Sequence, residues 1–158
     1  MRGAQFCTVH GNQAMMEAAA KAKSNGLKVL AVTALTSLDR GDLDDLGFQC
    51  DLEALVLSRA KRALAAGCDG VVSSGLEVER LRRDAPRELI VVTPGIRPLD
   101  NRSESDQKRV MTPTRALQAG ADHLVVGRPI RDAADPRAAA AAIVAEIEAA
   151  LNSRAGAR

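Results

Sequence analysis

Two arginines carry the sharpest chemical signal in this sequence. Arg97 stands in Thr93-Pro94-Gly95-Ile96-Arg97-Pro98, and Arg128 in Gly127-Arg128-Pro129-Ile130. Each follows closely on an apolar run and lies near glycine and proline. A guanidinium so placed offers a planar fork of donors to an oxyanion such as a carboxylate or phosphate. Turn chemistry explains the glycines and prolines, which supply unusual or rigid dihedrals, but it does not explain an arginine. Gly127 lets backbone approach a ligand closely, and neighbouring amides can donate to phosphate oxygens. Between the two arginines runs a long polar segment, 99–110, containing Asp106-Gln107-Lys108-Arg109. Gln107 has both donor and acceptor groups for a phosphate or a ring edge. A segment of this length is either a disordered excursion or a lid over a ligand. Further polar clusters occur at Thr8-Val9-His10-Gly11, at 33–37 and at Ser73-Ser74-Gly75. For Ser73 and Ser74, helix capping is as good an account as ligand binding.

The elements that must position these residues follow from periodicity. Apolar runs of strand length fall at 5–10, 28–33, 70–73, 89–93 and 123–127. They are rich in Val, Leu and Ile and do not alternate cleanly, as in strands buried on both faces. Helical patterns separate them at 13–24, 52–66, 77–83 and 114–119, with a last one from Asp135-Pro136 to about 151. Thr112-Pro113 fits an N-cap with proline in the first turn, and Gly26, Gly67 and Gly120 supply stops. Strand and helix therefore alternate five times, which predicts a parallel sheet. Residues 1–152 read as one domain and 153–158 as a frayed tail. In such folds ligands bind at the carboxyl ends of the strands, and every polar cluster named above falls there.

Composition narrows the function further. The chain has 158 residues, a net charge of +2 and 1% aromatic residues, with no Trp or Tyr. These values argue against a basic nucleic-acid footprint and against a base-stacking platform. No apolar run approaches the roughly 18 residues of a membrane span, and residues 1–30 lack the order of a signal peptide. Cys7, Cys50 and Cys68 are far apart and fit reduced thiols of a cytoplasmic protein. With them, His10 and His123 make no local zinc motif. Lys21, Lys23 and Lys61 fall on helices and are expected on a solvated surface.

Four stretches, in order and correctly spaced, resemble bacterial orotidine 5'-phosphate decarboxylase: Leu30–Ser37, Thr93–Pro98, Asp106–Pro113 and Val125–Ile130. Gly67-Cys68-Asp69-Gly70-Val71-Val72 is similar too, so the resemblance runs from about 5 to 151. It implies a partial (β/α)8 TIM barrel of the α/β class, with five parallel strands each followed by a helix, equivalent to strands four to eight. It also implies cofactor-free conversion of orotidine 5'-phosphate to UMP and CO2 in pyrimidine synthesis, and a homodimer in the complete family member. Carried over by position, Thr36 contacts the nucleotide, while Arg97, Gln107, Gly127 and Arg128 hold the phosphate end, with Ser37 a weaker candidate at the base. The family's Asp and Lys on early strands and its D-x-K-x-x-D motif have no counterpart here. Asp106-Gln107-Lys108 begins such a pattern, but Met111 stands where the second Asp belongs. The expectation is therefore the C-terminal part of a decarboxylase, without its catalytic array and inactive alone. It would be tested by an in-frame D-x-K-x-x-D upstream of Met1. A non-catalytic half barrel binding nucleotide phosphate, or another phosphate-binding barrel enzyme, are the alternatives.

Overall fold

The structure, a computed structural model, describes residues 3–98 and 109–156. Five parallel strands form one sheet in chain order: β1 (Phe6–His10), β2 (Lys28–Val32), β3 (Gly70–Val72), β4 (Ile90–Thr93) and β5 (His123–Leu124). Among the described residues β1 and β5 each pair on one side only. The helices are α1 (Gln13–Ala22), α2 (Arg40–Asp45), α3 (Leu52–Ala65), α4 (Val78–Asp84), α5 (Pro113–Ala119), α6 (Arg128–Arg131) and α7 (Pro136–Gly156). None among the described residues is long and apolar enough to cross a membrane.

Capping residues start the helices where the sequence suggests. Thr112 accepts the Arg115 amide ahead of Pro113, and Gly120 closes α5 in the left-handed region at φ 110°. The sequence reading missed both short helices, α2 and α6, because four to six residues are too few to show a 3.6 period. The helix expected at 77–83 is a 3-10 turn, Gly75–Glu77, continuing into α4. The last helix extends to Gly156, past the end expected near 151, so the segment read as a tail begins within a helix.

Alternate residues of each strand face opposite sides. Val29, Ala31, Val71 and Val91 pack against the helices, with Met16, Val56, Ala60, Val78, Leu81 and Ala116 completing that core. The other face carries a second row, Leu30, Gly70 and Ile90, paired in register across β2, β3 and β4. Gly70 is required there. A Cβ would lie 2.3 Å from the Ile90 carbonyl oxygen and 2.8 Å from Leu30 Cδ2. Large, small and large side chains thus share a narrow interior.

Curvature is shown by a contact between the two edge strands. Phe6 of β1 and His123 of β5 meet edge to face, their ring centroids 5.1 Å apart. Register links His10, Val32, Val72, Val92 and His123 in one row. His123 nevertheless faces Phe6, four residues before its register mate His10. An eight-stranded barrel of shear 8 has this property, since half a circuit displaces the register by half the shear. The five strands therefore trace an arc whose first and last members stand opposite each other, as in a partial TIM barrel.

One arrangement, used twice, ties the amino end of the sheet. Asp69, just before β3, accepts the Val29 amide at 2.9 Å, and Lys23 Nζ reaches both that carboxylate and the Gly67 carbonyl, each at 2.9 Å. Asp122, just before β5, accepts the Val91 amide at 2.8 Å, and Arg82 donates to that carboxylate and to the Gly120 carbonyl. Lys23 is therefore a cross-link rather than the solvated lysine expected from its helix. Burial acts to raise the Asp69 pKa, but the Val29 amide and the ammonium groups of Lys23 and Lys28 outweigh it, leaving the carboxyl below its ordinary 3.8.

Candidate phosphate site

The opposite, carboxyl end of the sheet holds the residues with chemistry. β4 ends at Thr93, and Pro94, Gly95, Ile96 and Arg97 turn away from it, with Gly95 at φ 75°. The turn is stitched to the start of α5: the Arg97 amide donates to the Met111 carbonyl at 2.9 Å, and the Met111 amide to the Gly95 carbonyl at 3.1 Å. Val125, after β5, donates to the Thr93 carbonyl at 2.9 Å. Gly127 then caps α6, whose first residue is Arg128. The Gly127 carbonyl accepts the amides of Ile130 and Arg131, each at 3.0 Å.

These two loops enclose a cavity of about 210 Å³, lined chiefly by Gly95, Arg97, Gly127, Arg128 and Arg131. The structure thus brings Arg97, Gly127 and Arg128 to one hollow, although the two arginines are 31 positions apart in sequence. Arg97 is 6% exposed and Arg128 half-buried. No atom lies within 4 Å of a Cβ built on Gly127, so nothing in the described chain crowds that position. Arg131 is a further cation at the rim that went unnoticed in the sequence. Its guanidinium grips the neighbouring Asp132, at 2.6 and 2.9 Å, and this contact holds the Asp132 carboxyl below its usual range.

Gln107 and Lys108 lie outside the described residues. Thr36 follows β2 and is half-buried, but it lines neither this cavity nor a second one of about 220 Å³. That second hollow is largely apolar, bounded by Leu35, Leu38, Leu43, Phe48 and Leu55 together with His10 and Arg59. Arg59 caps it by donating to the Thr33 carbonyl, with its guanidinium 5.7 Å from the Phe48 ring centre.

A buried ion pair also went unnoticed. Arg109, 6% exposed, pairs with Glu77, 3% exposed, and donates a second hydrogen bond to the Leu35 carbonyl at 2.9 Å. Burial raises the Glu77 pKa, and Arg109 acts against that shift. A signal was available, since Glu77 opens a helix and Arg109 belongs to a quoted motif, but nothing in the spacing joins residues 32 positions apart.

A singly wound parallel sheet, curved like part of a barrel, with an arginine-lined hollow between the loops of its last two strands, defines a partial barrel whose hollow lies where barrels of this class often place a phosphate site. The family model for "Orotidine 5'-phosphate decarboxylase / HUMPS family" matches residues 1–143, and the chain belongs to that family. It is 67% identical over 146 residues to an orotidine 5'-phosphate decarboxylase of Methylococcus capsulatus, covering 92% of this chain and 60% of the relative. It is 50% identical over 147 residues to that of Nitrobacter winogradskyi, covering 92% of this chain and 61% of the relative. Among solved structures, the Lactobacillus acidophilus enzyme superposes with a TM-score of 0.74 at 37% identity, over 90% of this chain and 63% of that one. The chain thus spans about three-fifths of the length of these relatives, in keeping with five strands of an eight-stranded barrel.

Proposed function

We propose that this chain supplies the phosphate-gripping part of an orotidine 5'-phosphate decarboxylase, the enzyme that converts orotidine 5'-phosphate to UMP and CO2 in pyrimidine synthesis. The observation that carries this reading is the single cavity shared by Arg97, Gly127 and Arg128. In it the two guanidinium groups would clamp the phosphate, each as a charged fork matched to its oxygens. Gln107 would close on the same group, and Thr36 would meet the nucleotide from β2. UMP and orotidine 5'-phosphate are the ligands, with no nucleic acid or membrane as partner. The complete enzyme would be a cytoplasmic homodimer without a cofactor.

The chemistry at the base needs an acid within hydrogen-bond reach of the carbon that loses CO2, and charges placed for the transition state. The Lys and Asp residues that supply both in the resembling family have no counterpart in this sequence. The chain alone should therefore bind the phosphate end and not decarboxylate. Titration with UMP, with ribose 5-phosphate as comparison, tests the binding. A preference for UMP is expected; equal affinity would point to a sugar-phosphate enzyme. Turnover of orotidine 5'-phosphate by the 158-residue chain would overturn the assignment of the missing catalytic groups.

A further inference from the structure

The phosphate clamp has no use for the buried pair Arg109–Glu77, yet three strand ends converge on it. The Arg109 guanidinium donates through Nη1 to Glu77, in the turn after β3, and through Nη2 to the Leu35 carbonyl after β2 at 2.9 Å. Leu35 is bonded directly to Thr36. Two residues beyond Arg109, Met111 exchanges backbone hydrogen bonds with Gly95 and Arg97, the wall of the cavity after β4. Met111 also fills the space above Gly75, where a Cβ would lie 2.7 Å from its sulfur. Ser73 Oγ lies 3.5 Å from the second Glu77 oxygen.

A buried ion pair is weak support for stability, because desolvation offsets most of the attraction and an apolar pair often serves as well. What an apolar pair cannot do is direct two hydrogen bonds at fixed angles. A lysine can donate twice, as Lys23 does, but its ammonium lacks the planar fork that fixes the angle between the two bonds. We propose that Arg109 and Glu77 are positioning residues: together they hold the backbone that carries Arg97 against the loop that carries Thr36, and so set the spacing of the nucleotide-binding groups. The effect on binding rests on the function proposed above; the effect on backbone position does not.

The test uses the full chain with Arg109→Lys, Glu77→Gln and the apolar double variant Arg109→Met/Glu77→Met. Three quantities are read: amide hydrogen exchange by NMR at Arg97 and Met111, affinity for UMP, and the thermal midpoint. Exchange at both amides should quicken about tenfold in every variant while the β2–β3 ladder amides hold, and UMP should bind about tenfold more weakly. The apolar double variant should recover the midpoint but neither the affinity nor the protection. Unchanged exchange at Arg97 and Met111 would overturn the proposal. So would an affinity that returns together with the midpoint in the double variant. If the parent chain binds neither UMP nor inorganic phosphate, the proposed function fails, and the exchange measurement alone decides the positioning role.

Discussion

Arg128 offers the most direct test of the proposed phosphate site, because its neighbour Arg131 provides an internal control. Both line the same cavity. Arg128 is half-buried, so a phosphate placed there would meet its guanidinium in partly dehydrated surroundings. Hydrogen bonds to charged groups are worth about 1.5–3 kcal/mol, which is about 10- to 150-fold in affinity. Arg128→Ala should weaken UMP binding within that range. Arg131 has a side chain 72% exposed and already holds Asp132. Arg131→Ala should therefore cost less than about fivefold, the ceiling for an exposed pair near 1 kcal/mol. Calorimetric titration with UMP measures both, and uridine, which lacks the phosphate, is the control. Arg128→Ala should leave uridine affinity as it is. Equal losses for the two variants, or an equal loss for uridine and UMP, would refute the assignment of Arg128 to the phosphate end.

The other end of the sheet yields stability predictions. Asp69→Asn turns a charge-assisted bond to Val29 into a neutral one and loses the pair with Lys23, for about 1.5–2.5 kcal/mol at neutral pH. Because the folded carboxyl sits below 3.8, the unfolded chain takes up the proton first. This stability is therefore present above about pH 4 and fades as pH falls through the folded value, so urea midpoints of parent and variant should converge at acid pH. Gly70→Ala forces a Cβ against the Ile90 carbonyl and should lower stability by about 3 kcal/mol, the upper end for overpacking, read from the same denaturation curves. Glu146→Ala removes the α7 carboxylate that accepts the Thr114 amide at 3.1 Å and its hydroxyl at 2.8 Å. The loss of about 1 kcal/mol expected for a helix cap should lower the calorimetric midpoint by about 2–4 °C.

What could be read from the sequence and what could not divide along physical lines. Strands such as Lys28–Val32 and Ile90–Thr93 were legible because burial on both faces demands continuous apolar runs. The cap at Thr112 and the stop at Gly120 were legible because one residue of the right type suffices there. The convergence of Arg97 and Arg128 followed from position alone, since parallel strands present all their carboxyl ends on one side. Lys23 and Arg109 were not legible. Lys23 resembles any helix-surface lysine until its partner is known to lie at Gly67 and Asp69, and Arg109 resembles any loop cation until Glu77 is found beneath it. A side chain bonded across more than 30 residues leaves no local mark.

The division of labour between the two ends of the sheet follows from the same geometry. At the amino end β2, β3, β4 and β5 each receive the chain from a helix through a short connection, and two of those connections carry a Gly and an Asp two residues apart. Gly67 and Gly120 take φ of 86° and 110°, and Asp69 and Asp122 then reach back to the preceding strand. That arrangement uses its polar groups on one another and leaves them unsuited to a ligand. At the carboxyl end the connections after β2 and β4 are the long ones, and cations that follow β4 and β5 meet around a hollow. Asp69→Asn should therefore shift the denaturation midpoint while leaving UMP affinity at a permissive temperature unaltered, and Arg128→Ala should do the reverse. A loss of UMP affinity in Asp69→Asn beyond that of its unfolded fraction would show that the two ends are coupled, and would end the claim that one holds the barrel arc together while the other binds.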